Sequence, residues 1–325
     1  MPDYEPTSPP ACPEGAQPPT LTAEEEVKYK EVLEHFSKSD YVVPGVEKGE
    51  LMEEEQFWLS YECLLRYLRA TKWNVALAIE RLEATLKWRR EYGLYSHITA
   101  EYVKPESLTG KAVIFGYDVE RRPALYLLPS RQNTEEPPQQ IEFTFFMLER
   151  TIELMGPGIE TLALMIDYAD RANKSPSFNT SRTVLNILQT HYPERLGRAL
   201  ILNVPFILKA FYRLITPFID PMTRPKMRFN PQVVTDGLFT ADQVVKNWGG
   251  ERDLEWDHDK YWPALIRMCA ERKAENLERW RSLGGRLGLK EWDFKGGPAV
   301  ASTAEASGKT QDIAVSVVEE GVAVA

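Results

Sequence analysis

Two acidic residues, Asp167 and Asp170, follow the apolar run 162–166. Carboxylates at the end of a strand can coordinate a divalent cation or act as general acid and base. More often they accept hydrogen bonds from a turn or from the first turn of a helix. We therefore favour a turn role for both, and an enzyme that uses Asp167 and Asp170 is the weaker alternative.

The sequence lacks the other common signatures of catalysis and of metal binding. The loop after Asp167 contains no glycine, which excludes the phosphate-binding loops of dinucleotide and P-loop proteins, and no Gly-x-Ser-x-Gly turn is present. Cys12, Cys63 and Cys269 are too far apart for a disulfide framework or a zinc site, and His191 is expected to end a helix. We expect no catalytic residues, no metal and no cofactor.

The segment 203–221 combines an apolar helical pattern with basic residues. On a helix, Lys209 and Arg213 would lie together, apart from one broad apolar face. Such a helix can cover an apolar cavity, touch a membrane, or pack in a core with two exposed cations, and the periodicity alone favours the core helix. The apolar face would hold Phe206, Ile207, Ala210, Phe211, Leu214 and Ile215.

Basic residues are concentrated around this segment although the whole chain is acidic. The chain has 39 Lys and Arg against 48 Asp and Glu, a net charge of −9, which argues against a nucleic-acid partner. Each Lys or Arg near an anionic lipid surface contributes about 1 kcal/mol, so a local basic run favours a membrane. Between 195 and 229 only Asp220 is acidic, and the basic residues are Arg195, Arg198, Lys209, Arg213, Arg224, Lys226 and Arg228.

Periodicity predicts the elements that would position these residues. Thr22 and Glu25 have capping-box spacing and predict a helix to about residue 35. A linker with Pro44 and Gly45 follows, and helical spacing of apolar residues begins again at Glu53 and continues to Gly93. Beyond Pro105 the pattern predicts an α/β arrangement in which strand, helix and strand form a parallel pair. The predicted strands are 111–117, 124–128, 161–167, 199–204 and 226–229, and the predicted helices are 141–155, 180–192 and 205–218.

The organisation of the chain follows from these elements and from composition. We predict a disordered arm at 1–20, which holds seven prolines, an all-helical unit at 21–95, an α/β domain at 100–255, a helical extension at 256–295 and a disordered tail at 296–325. No apolar run exceeds five residues, whereas a membrane span needs about 20. The first residues do not form a signal-peptide pattern. We therefore expect a cytoplasmic protein.

Several separated motifs resemble the CRAL-TRIO family. LLRYLRATKWN at 64–74 and KWRREYG at 87–93 are similar to its helical N-terminal part. YPERLGR at 192–198, ILNVPF at 201–206 and PFIDPMTRPK at 217–226 resemble its lipid-binding domain, in particular that of fungal phosphatidylinositol transfer proteins in the azole-resistance-linked branch. The resemblance covers about residues 50–255 in the expected order.

This resemblance implies a fold, a function and a set of site residues. The fold would be a CRAL-TRIO domain whose mixed, partly parallel sheet is the floor of a lipid cavity, closed by a mobile gate helix at 206–218. The protein would exchange phosphatidylinositol with membranes without covalent chemistry. By the family pattern, the headgroup ligands would be Lys72, Glu194 and Lys226, and the cavity wall would include Leu162, Leu164 and Ile166. Two ammonium groups can neutralise a phosphodiester while a carboxylate accepts inositol hydroxyls.

Two positions depart from the family members that alternate phosphatidylinositol with phosphatidylcholine. Thr71 stands where those proteins have a basic residue, and Leu162 and Leu164 lie on a strand that carries hydroxyl residues in them. The lost hydroxyls would have bonded the phosphate of the choline lipid. We therefore expect a second ligand such as a sterol or another neutral lipid.

Two other functions stay open in the same fold. One is a ligand-sensing scaffold that presents phosphoinositide to a lipid kinase or to another partner protein. The other is a carrier of haem or of a small molecule, with His or Tyr as axial ligand. The expected location is the cytoplasm, with transient peripheral contact to membranes such as the endoplasmic reticulum, lipid droplets or the cell periphery.

Overall fold

Four helices form the first part of the chain. The computed structural model describes residues 2–135, 138–169, 178–204 and 224–299. Thr22 Oγ1 accepts a hydrogen bond from the backbone of Glu25, whose carboxylate accepts one from the backbone of Thr22, so the predicted capping box is confirmed. These helices build a core of their own around Leu64, Leu68 and Leu82. They are α1 (Ala23–Phe36), α2 (Glu53–Trp58), α3 (Tyr61–Ala70) and α4 (Val75–Glu91).

A five-stranded sheet with helical connections follows. The strand order is β1-β2-β3-β4-β5; β1 pairs antiparallel with β2 and all other pairs are parallel. The predicted mixed, partly parallel sheet is thereby confirmed. The elements are α5 (Ala100–Ser107), β1 (Ala112–Tyr117), β2 (Pro123–Leu127), α6 (Pro138–Glu153), β3 (Leu162–Asp167), α7 (Phe178–His191), β4 (Leu196–Leu202) and β5 (Met227–Phe229). The predicted helix 205–218 lies outside the described residues.

The centre of the sheet is β3, whose sequence is almost entirely apolar. Strands of a parallel sheet are covered on both faces, and such a run satisfies that requirement. Ala163 and Met165 on one face are fully buried, whereas Leu164 and Ile166 on the other are half-buried. The strand therefore has one face in the core and one face that is only partly covered.

The helices after the sheet pack on the sheet and on the N-terminal helices. Helix α8 (His258–Ser282) is held on β1 because the hydroxyl of Tyr261 donates to Ile114 O and accepts from Ile114 N. Helix α9 (Glu291–Phe294) docks on α3, where Glu62 accepts from the backbone of Glu291. Single 3₁₀ turns lie at Pro129–Arg131, Arg224–Lys226, Ala241–Gln243 and Lys246–Trp248.

The Pro-rich arm differs from the expectation of disorder. Asp3 pairs with the backbone around Leu254 and forms an ion pair with Arg252, and Thr7 Oγ1 accepts from the backbone of Gly116 on β1. Composition alone suggested disorder because the arm has few apolar groups to bury. Asp3 and Thr7 nevertheless have polar partners that lie more than 100 residues away in sequence.

None of the helices that can be described has both the length and the apolar composition needed to cross a membrane. The same described ranges contain no cluster of His, Cys, Asp and Glu side chains arranged to hold a metal ion.

Candidate functional site

Two of the three predicted headgroup residues, Glu194 and Lys226, lie at the edge of the sheet where β3, β4 and β5 begin, which we call the amino edge. Glu194 lies two residues before β4, and Lys226 immediately precedes β5. Because β4 and β5 are parallel neighbours, these two positions start adjacent strands. The ammonium of Lys226 donates to Leu196 O at 2.8 Å, which fixes it beside the first residue of β4.

Lys72 is connected to the same edge through the end of α3. Its backbone amide donates to Arg69 O, and the guanidinium of Arg69 pairs with Glu160 at 2.9 Å. Glu160 lies two residues before β3, and its carbonyl accepts from Arg195, the neighbour of Glu194. Among the described residues, no hydrogen bond or ion pair joins the three side chains to one another. The structure thus starts adjacent strands just after Glu194 and Lys226 and connects the end of α3 to the same edge through Arg69, and it leaves Lys72 exposed and Glu194 half-buried.

Two of these three residues have a left-handed backbone. The φ angle is +52° at Lys72 and +60° at Glu194, and Trp73 beside Lys72 has +62°. Side chains other than glycine rarely adopt this region, and such strain clusters at functional sites. Here it turns the chain sharply at the end of α3 and before β4.

A buried network of ion pairs connects the segments that meet at the amino edge. Arg66, 2% exposed, pairs with Glu160 at 2.9 Å and with Glu291 at 3.1 Å. Burial raises the pKa of Glu291, but the charges of Lys295 and Arg66 outweigh it and hold that pKa well below the usual range. Burial and the charge of Arg66 lower the pKa of Arg195. Sequence reasoning missed this network, since a charged residue on a helix gives no signal of its burial.

The predicted cavity wall lies on the half-covered face of the sheet. Leu162 is buried, and Leu164 and Ile166 are half-buried. The parallel register places Leu125 beside Leu164 and Leu127 beside Ile166, so the apolar surface continues from β3 onto β2. The contribution of these residues to a lipid cavity stays a prediction.

Two family models and several known proteins match this chain. The model of the CRAL/TRIO domain matches residues 108–250, and that of the CRAL/TRIO N-terminal domain matches residues 28–84. Phosphatidylinositol transfer protein PDR17 of Saccharomyces cerevisiae is 34% identical over 299 residues, which are 85% of each chain. The chain belongs to the CRAL-TRIO family.

Other CRAL-TRIO proteins extend the comparison. The CRAL-TRIO domain-containing protein C23B6.04c of Schizosaccharomyces pombe is 46% identical over 290 residues, 88% of this chain, and the chain spans 28% of that relative's length. The crystal structure of Sfh5 superposes with a TM-score of 0.55 at 17% identity, covering 74% of this chain and 92% of that one. This last likeness shows the fold alone.

The predicted gate helix of the CRAL-TRIO domain lies outside the described residues. This applies to all of its predicted apolar residues, Phe206, Ile207, Ala210, Phe211, Leu214 and Ile215. Asp170 also lies outside the described residues.

Asp167 and His191 have structural roles, as predicted. Asp167 Oδ1 accepts from the backbone of Ala169 and from the side-chain amide of Asn203, so it stabilises the turn after β3. His191 ends α7, stacks on Trp88 with ring centroids 4.2 Å apart, and contacts Thr85 Oγ1 at 3.0 Å. Burial and nearby arginines lower the pKa of His191 to about 4, so the ring is neutral at pH 7.

Part of the basic run in the CRAL-TRIO domain is not available to a membrane. Arg195 is 9% exposed and donates to a backbone carbonyl, and Arg198 pairs with Asp118 at 2.9 Å and with Glu120 at 2.6 Å. Counting charges along the sequence therefore overstated the local basic surface. Lys226 and Arg228 remain partly or fully exposed.

Proposed function

We propose that this protein binds phosphatidylinositol in an apolar cavity of its CRAL-TRIO domain and carries it between membranes without a covalent reaction. The observation that supports the proposal is that Glu194 and Lys226 lie at the starts of adjacent strands at the amino edge, while Arg69, near Lys72, pairs with Glu160 at the same edge. Relatives support it, since PDR17 and CSR1 of Eremothecium gossypii are both named phosphatidylinositol transfer proteins.

The chemistry of the three side chains suits an inositol phosphodiester. Lys72 and Lys226 would bring two positive charges to the phosphate, and Glu194 would accept hydrogen bonds from inositol hydroxyls. Lys226 now donates to a backbone carbonyl, which a phosphate oxygen can replace with a stronger, charge-assisted partner. The buried ion pairs of Arg66 would keep the supporting backbone in place.

A closed cavity is required because a diacyl lipid cannot leave a membrane through water. Such a lipid has about 30 methylenes, and at about 0.8 kcal/mol each their exposure costs on the order of 25 kcal/mol. The lipid must therefore pass directly from bilayer to protein. We infer transient, peripheral contact between the protein and the cytoplasmic face of membranes.

The second lipid would be a sterol or another neutral lipid rather than phosphatidylcholine. The hydroxyl of Thr71 lies within 2.9 Å of Tyr67 O and 3.1 Å of Leu68 O, so it is engaged by the end of α3. Leu164 and Ile166 offer only apolar surface. A wall with these properties favours a ligand without a second charged headgroup.

The proposal is tested by loading the purified protein from liposomes that contain phosphatidylinositol, phosphatidylcholine and ergosterol in equal amounts. Mass spectrometry of the re-isolated protein should find phosphatidylinositol and sterol enriched over phosphatidylcholine. Transfer to acceptor vesicles is then followed with labelled lipid. Absence of phosphatidylinositol from the protein would refute the binding function, and tight loading with negligible transfer would favour the scaffold function instead.

Variants of the trio test the site. Glu194→Ala and Lys226→Ala should each reduce phosphatidylinositol loading at least tenfold, because each removes a charge-assisted contact to the headgroup. Lys104→Ala is the matched control, since Lys104 is an exposed lysine on α5. Sterol loading should be unchanged in all three variants. Normal phosphatidylinositol loading by both trio variants would contradict the assignment.

A further inference from the structure

A small cavity, of about 30 Å³, lies where the N-terminal helices meet the sheet domain. Its lining includes Cys63 and Arg66 of α3, Glu149 of α6, and Arg195 just before β4. None of the proposed headgroup or wall residues, all of which are described, contributes to it. A water molecule needs about 10–15 Å³ of such space, so the cavity has room for one or two particles of that size and not for a phosphate group.

Arg195 is a buried cation without a carboxylate partner in the described ranges. It is 9% exposed, and its guanidinium donates only from Nη1, to Glu160 O at 3.0 Å and to the sulfur of Met155 at 3.8 Å. Neither Nε nor Nη2 is an enclosed atom without a partner, so the N–H groups that the protein leaves unused reach open space. The cavity that Arg195 lines supplies that space. Buried arginines are normally paired, because an uncompensated buried charge is costly.

The carboxylates around Arg195 are held by other cations. Glu160 accepts from Arg66 and from Arg69, at 2.9 Å each, and Glu291 pairs with Arg66 at 3.1 Å. Among the residues that the structure describes, none of the ion pairs includes Arg195. Burial and the charge of Arg66 lower the pKa of Arg195, as expected for a cation that lacks a counter-charge, although a guanidinium stays protonated at pH 7.

The other charged groups nearby do not supply the missing negative charge. The carboxylate of Glu149 is bound by Arg89 through two hydrogen bonds, at 2.9 and 3.2 Å. Burial and the charge of Glu291 raise the pKa of Glu62 to about 7, so Glu62 carries at most part of a charge at neutral pH. Lys295 adds a further cation, 2.6 Å from Glu291. The described surroundings of the cavity thus hold more positive than negative charge.

Two further groups in the lining are neutral at pH 7. Burial and nearby arginines lower the pKa of His191 to about 4, and burial raises the pKa of the Cys63 thiol to about 11. A neutral thiol is a weak hydrogen-bond donor and can face an anion. Trp58 and Ile152 add apolar surface to the walls.

From this arrangement we infer that the cavity binds one small monatomic anion, chloride in ordinary salt solutions, between α3 and the residues before β4. Arg195 supplies the positive charge and the unused N–H groups, and the thiol of Cys63 supplies a weaker donor. Water fits the same volume but would leave the charge of Arg195 uncompensated. The site does not depend on the proposed binding of phosphatidylinositol.

Thermal unfolding of the full chain in different salts tests the inference. Sodium chloride and sodium bromide are compared with sodium gluconate at equal ionic strength and pH 7, because gluconate is too large for the cavity. An anion that binds only the folded state stabilises it, so the melting temperature should rise by about 2–5 °C with chloride or bromide and then level off. Equal melting temperatures in chloride and gluconate at every concentration would overturn the inference.

Variants separate this site from a general effect of salt. Arg195→Met removes the cation and should abolish the difference between chloride and gluconate, whereas Arg195→Lys keeps a charge and should retain part of it. Arg267→Met is the matched control, because Arg267 is exposed on α8 and does not line the cavity. It should show the full difference. A chloride effect in Arg195→Met as large as in the parent protein would contradict the site.

Anomalous diffraction gives a test that needs no variant to fold. Crystals of the parent protein grown in sodium bromide should show an anomalous peak within hydrogen-bond distance of the Arg195 guanidinium. Bromide at surface positions alone, or a water molecule without anomalous signal in the cavity, would overturn the inference. A bromide peak beside Arg195 without any effect of chloride on the melting temperature would mean an adventitious ion only, and would overturn it as well.

Discussion

The backbone at Lys72 and Glu194 carries a conformational cost that the fold alone does not explain. A left-handed backbone at a residue other than glycine costs roughly 1–2 kcal/mol, and both residues have φ angles in that region. Glycine would relieve the strain at either position. The retention of Lys and Glu there is consistent with the use of their side chains for a ligand.

Replacing these residues with glycine should separate stability from lipid binding. We expect Lys72→Gly and Glu194→Gly each to raise the free energy of unfolding by about 0.5–1 kcal/mol while lowering phosphatidylinositol loading at least tenfold. Urea unfolding and mass spectrometry of loaded lipid measure the two effects. Lys72→Ala and Glu194→Ala keep the strain, so they should lose loading without the gain in stability. Glycine variants that load normally would argue against a headgroup role.

The sequence indicates Lys72, Glu194 and Lys226 as candidate headgroup residues but does not indicate what surrounds them. Lys72, Glu194 and Lys226 were found because short motifs around them resemble the CRAL-TRIO pattern. Arg66 and Glu160 belong to distant segments, and nothing local in either indicates that they meet.

At the scale of elements, a buried ion pair connects the N-terminal helices to the sheet domain. Arg89 on α4 makes two hydrogen bonds to Glu149 on α6, at 2.9 and 3.2 Å, and Tyr192 donates to the same carboxylate at 2.7 Å. Burial raises the pKa of Glu149, but Arg89 and Tyr192 outweigh burial and bring it to about 2. The pair is therefore ionised at neutral pH.

Removing the arginine should destabilise the protein strongly. Arg89→Met leaves a buried carboxylate without its cation, and we expect a loss of about 3–5 kcal/mol in the free energy of unfolding, measured with urea at pH 7. Lys87→Met on the same helix is the control, since Lys87 and Glu91 form an exposed pair at 3.8 Å and should contribute less than about 1 kcal/mol. A loss below 1 kcal/mol for Arg89→Met would show that this pair does not hold the two parts together.

Local sequence signals predicted the helices and strands well. They do not indicate contacts between residues that lie far apart in sequence. The capping box of Thr22 and the apolar run of β3 specify their elements within a few residues, and both are confirmed. The contacts of Asp3 and Thr7 in the arm were not predicted, because their partners Arg252 and Gly116 lie far along the chain. Arg198 was counted as membrane-facing for the same reason, since its partner Asp118 lies on another segment.

At the scale of the whole molecule, helix α9 packs on α3 through the carboxylates of Glu62 and Glu291. Glu62 accepts from the backbone amides of Glu291 and Trp292, while Glu291 pairs with Arg66 and with Lys295 at 2.6 Å. Burial and the charge of Glu291 raise the pKa of Glu62 from 4.5 to about 7. The packing of α9 on α3 therefore depends on whether Glu62 carries its proton.

This coupling predicts a loss of stability as the pH rises. Folded Glu62 keeps its proton up to about pH 7, whereas the unfolded chain releases it near 4.5, so the folded state is favoured at pH 4.5 and loses that advantage on the way to pH 7. Glu62→Gln stays neutral. It should therefore be more stable than the parent protein at pH 8, by about 1–3 kcal/mol, with the difference shrinking towards pH 5. Urea unfolding between pH 5 and 8 measures it, and Glu54→Gln on the exposed side of α2 is the matched control. A difference between Glu62→Gln and the parent that does not change with pH would mean that Glu62 is already ionised in the folded protein.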